Sequence, residues 1–242
     1  MNIQLRNNHT TTDPRLDRLV LFDDRSRAFP IRPRVEGKPL RSYTWRCLAH
    51  LDQGNEGACV GFGITHELIA RPAEAPDLDA AYAREQIYWN AQRTDPWPGG
   101  AYPGAWPHYE GTSVLAGIKV ARNFGWFDSY HWAFGLDDVL LGLAYDGPCV
   151  FGLNWYDGML DSDSQGFITP TGRLRGGHCI LGRALDIADE KVLLHNSWGY
   201  LWGENGCAWI TFADLEVLLH EDGEAAFFEN RHVTPQPKEP RP

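Results

Sequence analysis

A chain of 242 residues, 43% hydrophobic and 22% charged, is long enough to bury a substantial core, as one large domain or as two lobes around a cleft. Its net charge of −10 argues against a general nucleic-acid binder, and no run approaches the ~20 apolar residues of a membrane-spanning helix. The N-terminus has no apolar signal core, and the five cysteines, an odd number, have neither framework nor metal-pair spacing. A disulfide-free protein of a reducing compartment, cytoplasmic or otherwise without a signal peptide, is therefore expected.

Residues 1–44 read as an N-terminal arm and linker, punctuated by Pro30, Pro33 and Pro39. Residues 1–46 carry ten Lys/Arg against five Asp/Glu, whereas the remainder carries twelve against twenty-seven. The arm is either a basic segment packed on an acidic body or a loosely held, solvated one. Leu19-Val-Leu-Phe22 can add a strand to it.

The turn Gln53-Gly-Asn-Glu-Gly-Ala-Cys59 then delivers a cysteine, and Ile64 to Ala70 have helical character. A thiol at a helix start faces unpaired amide N–H groups and the positive end of the macrodipole, which favour the nucleophilic thiolate. The alternative is that Cys59 is a small buried apolar residue.

After a break at 71–76, Leu78 to Gln92 reads as a helix with Ala80, Ala83, Ile87 and Tyr88 near one face, covering the nucleophile helix. In the 94–110 stretch, repeated prolines and glycines exclude a long helix or central strand, and its two tryptophans and two tyrosines either pin the loop or line a groove. A helix from Glu110 to Phe124 follows, with Thr112 or Ser113 as N-cap.

From Phe134 the character shifts. A helix over 137–145 precedes a strand at 148–153 and a loop at 154–159, and Asp161 to Gly166 reads as a surface turn without the later ligands of a calcium loop. Strands are expected at about 166–169, 178–186, 190–196 and 207–212. The proline-rich tail, 234–242, is expected to be disordered.

Two segments of this second half carry chemistry. Gly176-Gly-His178-Cys-Ile-Leu sets a histidine at the head of a strand-like run, and Asn196-Ser-Trp198-Gly-Tyr-Leu-Trp-Gly-Glu-Asn-Gly206 sets an asparagine in a strand-to-loop context. Cysteine, histidine and asparagine in this order can form one constellation, in which imidazole takes the thiol proton and the carboxamide orients the ring.

These three blocks resemble the papain family of cysteine peptidases, over roughly Trp45 to Leu219. The resemblance implies an α+β fold of two lobes, a helical lobe (about 50–133) and an antiparallel β-barrel-like lobe (about 134–233), together making a 45–233 peptidase domain with the cleft between. It implies Cys59 as nucleophile, His178 as acid/base, Asn196 as orienter, Gln53 as oxyanion donor and Trp198 as shield of the histidine–asparagine pair. Substrate contacts are expected from Gly57, Ala58, Gly111, Thr112, Gly177 and Trp198. Peptide or protein substrates follow, with no metal or organic cofactor.

Two departures stand at the nucleophile: Glu56 replaces a family cysteine and Val60 an aromatic residue. A carboxylate near the thiolate would raise its pKa, but the helix terminus and His178 are expected to hold the thiol below its ordinary value. Secreted members carry a long helical pro-segment that residues 1–44 do not resemble, so either none is made or the arm does another job. An acyltransferase or amidase using the same triad, and a silent peptide-binding module, are the competing functions. Labelling by an epoxide that alkylates activated thiols, in wild type and His178→Ala, separates active from silent.

Overall fold

A computed structural model describes residues 3–236, Leu48 and the side chain of Arg27 excepted; of the tail, 237–242 lie outside the described residues. The arm folds as a small hairpin, β1 (Ile3–Gln4) and β2 (Thr10–Thr11), then β3 (Arg18–Leu19), a 3₁₀ turn at Asp24–Ala28, α1 (Arg32–Val35) and β4 (Tyr43–Thr44). The helical half holds α2 (Cys59–Ile69), a π-helical stretch (Tyr82–Tyr88) running into α3 (Trp89–Thr94), β5 (Thr112–Ser113) and α4 (Val114–Phe124). Then come β6 (Phe127–Trp132), α5 (Leu136–Tyr145), β7 (Cys149–Tyr156), β8 (Leu174–Asp186), β9 (Lys191–His195), β10 (Cys207–Thr211), α6 (Phe212–His220) and β11 (Glu224–Arg231).

The strands of the second half form an antiparallel sheet in the order β10-β9-β8-β7-β11-β6, with β4 also paired to β8. Successive side chains of a strand point to opposite faces, and here both faces are apolar. Phe151, Ile180, Ala225 and Phe227 enter one core, with residues of α5 and α6. Their neighbours Val150, Leu181, Ala226 and Phe228 enter the other, with α2 and α4. This double burial is why β7, β8 and β11 read as continuous apolar runs rather than as alternating ones.

The fold class is α+β, as expected, but the sheet is open: the described strands close no barrel. Other differences have local causes. The helix expected over 78–92 runs from 80 to 94, because Asp79 accepts from the Tyr82 N–H and so ends the preceding turn. The Glu110–Phe124 helix begins only at Val114, capped by Ser113, whose hydroxyl accepts from Ala116 N–H at 3.2 Å. The loop expected over 154–159 is strand as far as Tyr156, where Trp155 is buried in the core. The 166–169 strand shrinks to one bridge, Phe167 with Trp209. β6, α6 and β11 are additional elements.

All eleven residues of α2 are buried, so its polar side chains need internal partners. Thr65 donates to the Gly61 carbonyl, and Glu67 pairs with Arg231 of β11, both side chains almost wholly buried. Removing one partner of such a pair leaves a buried charge uncompensated, typically at about 3–5 kcal/mol. Glu67→Gln is therefore expected to lower the denaturant midpoint sharply. The double change Glu67→Leu, Arg231→Met should recover most of the loss, as measured by urea unfolding.

Candidate active site

Cys59 is the first residue of α2 and wholly buried. The turn before it closes through Gln53, whose N–H bonds the Ser197 carbonyl at 2.8 Å and whose side-chain oxygen accepts from the Ser197 hydroxyl at 2.6 Å. These bonds lock the turn before Cys59 to the loop after β9. His178, on β8, bonds through Nε2 to the Asn196 side-chain oxygen at 2.7 Å. Trp155 and Trp198 pack on the imidazole at centroid distances of 4.7 and 4.8 Å, an apolar cover for the pair.

The arm lies in the cleft these residues form. β3 pairs in parallel with β5, setting Arg18 opposite Thr112 and Leu19 opposite Ser113. The Arg15 carbonyl accepts from the Gln53 amide at 3.3 Å and faces His178. The Arg15 guanidinium lies over Trp198, 4.0 Å from the ring centroid. Leu16 joins the core, and the Asp17 carboxyl reaches Cys59, with Oδ1 2.9 Å from Sγ. Among the described residues, Sγ bonds only to Asp17 and to the Cys179 N–H, at 3.3 Å.

Arg18 fills a pocket of its own. Its guanidinium meets Glu224 at 3.0 Å and donates to the carbonyls of Gly152 and Asp222 at 2.9 and 2.5 Å. Both members of the ion pair are essentially unexposed.

Gly57 beds the arm: a Cβ there would stand 2.7 Å from Asp17 Oδ2 and 2.9 Å from Glu110 Oε2. Gly177 does likewise, since its Cβ would meet the Arg18 carbonyl at 2.3 Å. Ala58 packs in a small core cluster with Phe62, Ala83 and Tyr88. The Gly111 N–H donates to the Tyr88 hydroxyl, and its carbonyl accepts from Gln92 of the body and from Arg6 of the arm; the arm also bridges to Glu110 through Leu5 and pairs with Thr112 and Ser113 through β3. The 95–101 part of the aromatic loop is pinned: Arg6 donates to the Trp97 and Pro98 carbonyls and pairs with Asp95 at 2.6 Å.

Sequence reasoning missed Asp17, Arg18, Tyr88's polar role, Glu110 and Glu224. The one signal was Leu16-Asp-Arg-Leu19, two charged residues between leucines that are both buried.

Electrostatics follow from closure. Burial, and then the Asp17 carboxyl, push the Cys59 thiol well up, the reverse of the expectation from helix terminus and imidazole. Burial also pushes Asp17 well up and takes His178 down to about 4. The departure at Glu56 is harmless by contrast: its carboxylate is half-exposed and pairs with Arg84.

No family profile matches the chain. Two curated proteins are similar in sequence: cathepsin B-like CP3 of Giardia intestinalis, 26% identical over 208 residues, 74% of this chain and 70% of that one; and an uncharacterized peptidase C1-like protein of Acanthamoeba polyphaga mimivirus, 20% identical over 66% of this chain and 63% of that one. Among solved structures, xylellain, a cysteine protease from Xylella fastidiosa, superposes with TM-score 0.67 over 91% of this chain and 97% of that one, at 17% identity. Digestive procathepsin L 3 of Tenebrio molitor larval midgut superposes with TM-score 0.56 over 90% and 75%, at 14% identity. At such identities the structural likeness bears on the fold.

Because Glu56 faces Arg84 and solvent rather than the thiol, Glu56→Gln is expected to leave the pH profile of iodoacetamide modification of Cys59 within about 0.2 pH units of wild type. A larger displacement places its charge in the cleft.

Proposed function

For a chain of the papain-like cysteine peptidase family, we propose that peptide bonds are hydrolysed through Cys59, His178, Asn196 and Gln53. What supports the reading is one piece of peptide, Arg15-Leu16-Asp17, which meets Gln53, Cys59, His178 and Trp198 at once. Its backbone carbonyl is at Gln53 and beside His178, its guanidinium on Trp198, its carboxyl at Cys59. Three segments of the body, the turn from Gln53 to Cys59, β8 and the loop after β9, thus converge on a main chain lying in the cleft.

With the arm displaced, the thiol is free to give its proton to His178, held in orientation by Asn196. Thiolate attack on a substrate carbonyl forms the tetrahedral intermediate, whose oxygen is stabilised by the Gln53 amide and the Cys59 N–H. Protonated His178 gives its proton to the departing amine, and the neutral ring then activates water to release the acid. In the closed state this sequence cannot start, because Asp17 occupies the sulfur.

The test is an activity assay in an Arg18→Ala background, which removes an anchor of the arm. Cys59→Ala should abolish turnover of a peptide library, and Gln53→Ala should reduce kcat by about 10²–10³. Turnover by the Cys59→Ala protein, free of contaminating protease, overturns the assignment.

The pocket that Arg18 vacates retains the buried Glu224 carboxylate and two inward carbonyls. Substrates offering a basic side chain there should be preferred. In the same background, Glu224→Gln is expected to lower kcat/KM for arginine-bearing peptides about tenfold or more relative to leucine-bearing ones. An unchanged ratio removes Glu224 from substrate selection.

A further inference from the structure

Among the described residues Asp17 is met by neutral donors alone, the Cys59 thiol and backbone N–H and the Tyr88 hydroxyl. Oδ1 meets the Cys59 thiol at 2.9 Å, and Oδ2 meets the Tyr88 hydroxyl at 3.2 Å. That hydroxyl already accepts from the Gly111 N–H and from Gln92 Nε2, so it has only its single proton to give. A second carboxylate competes for it: Glu110 Oε2 lies 3.0 Å from the same hydroxyl. Both carboxylate oxygens crowd the same face of Gly57.

Among the described residues no cation answers this charge. The neighbouring arginines of the arm are committed elsewhere, Arg15 to Asp13 and Arg18 to Glu224. The other titratable groups facing Asp17 are Cys59, Cys179, Tyr88 and Glu110, none of them basic. Behind Glu110 stand only the exposed His108, at 3.7 Å, and Glu56, which pairs with Arg84. An ionised Asp17 would be a wholly buried charge beside a second carboxylate, an arrangement that is strongly unfavourable.

We propose that Asp17 is a proton-dependent latch: the arm is docked with Asp17 as the neutral acid, and a rise in pH expels it from the cleft. The proposal rests on the functional reading above only in that an open cleft is an active one.

The sign follows from linkage. Docking raises Asp17, so its contribution to docking is complete below the ordinary carboxylate range, about pH 4, and is lost as pH rises toward the raised value. Cys59, likewise raised, acts in the same sense at higher pH. His178 acts oppositely. Docking lowers it to about 4, so its contribution is complete above about pH 6.5 and is lost as pH falls toward 4. From about pH 4 up to 6.5 the two contributions have opposite slopes. Above 6.5 only the first remains, and docking weakens by up to about tenfold per pH unit.

Hydrogen exchange of amides in residues 13–19 tests this, in the full chain carrying Cys59→Ser. This change stops self-cleavage, keeps a donor at Asp17 and removes the thiol's own titration. Amides of β8 serve as the control for global opening. The arm's opening constant, corrected for intrinsic exchange, should vary least below pH 6.5, where Asp17 and His178 oppose each other, and rise above it by up to about tenfold per unit.

Adding Asp17→Asn, neutral at every pH, should abolish the rise above 6.5 and uncover an acid-side opening due to His178. A pH-independent arm with Asp17 present overturns the proposal, as does an unchanged alkaline opening in Asp17→Asn. If Asp17→Asn undocks the arm at every pH, Glu110→Gln decides the matter. Loss of the competing charge lowers the docked value of Asp17, so the alkaline rise should level off at lower pH and be smaller, and an unchanged rise overturns the latch. None of these readouts depends on turnover, so failure of the latch is distinct from failure of the peptidase reading.

Discussion

The cleft is organised by the contact between a buried carboxyl and a buried thiol. Asp17 meets Cys59 where the nucleophile turn, β8 and the arm come together, and each supplies part of the enclosure. The thiol stands at a helix start, which favours its ionisation, yet its burial beneath the Asp17 carboxyl opposes it. Closure therefore sets both the accessibility of the sulfur and its protonation. A single segment of chain controls the two together.

The scaffold makes that contact reproducible. A sheet apolar on both faces holds α2 against β8, and the Gln53–Ser197 bonds fix the nucleophile turn to the loop that carries Asn196. The same bonds aim the Gln53 amide at a carbonyl in the cleft. Chemistry that depends on placement at the level of an ångström is thus tied to the most densely packed part of the molecule.

Much of this was legible in the sequence because it is local. The Gly-rich turn before Cys59, the Gly-Gly before His178 and the Asn196-Ser-Trp198 block each carry their own backbone and side-chain requirements. The apolar runs of β7 and β8 were legible for the same reason. The arm was not, since the place of Asp17 depends on partners at positions 59, 88 and 110, and of Arg18 on position 224, none of them near in sequence. Composition left the arm's two readings level; the packing of Leu16 and Leu19 decides for contact with the body. β11 was missed because Glu224 and Arg231, at its ends, look like surface residues until their partners are in view.

Arg6 gives the closed form a second property. It ties the arm to the aromatic loop through the Trp97 and Pro98 carbonyls and through Asp95, which also accepts from the Thr112 hydroxyl. The segment that plugs the cleft also braces one of its banks. When the plug leaves, Asp95 loses its guanidinium and two loop carbonyls lose their donor, so that bank must find new partners or take up water. The vacant cleft is therefore not the closed one with its contents removed. Its width on that side is set afresh by whatever peptide enters, and the bank regains its shape only with an occupant in place.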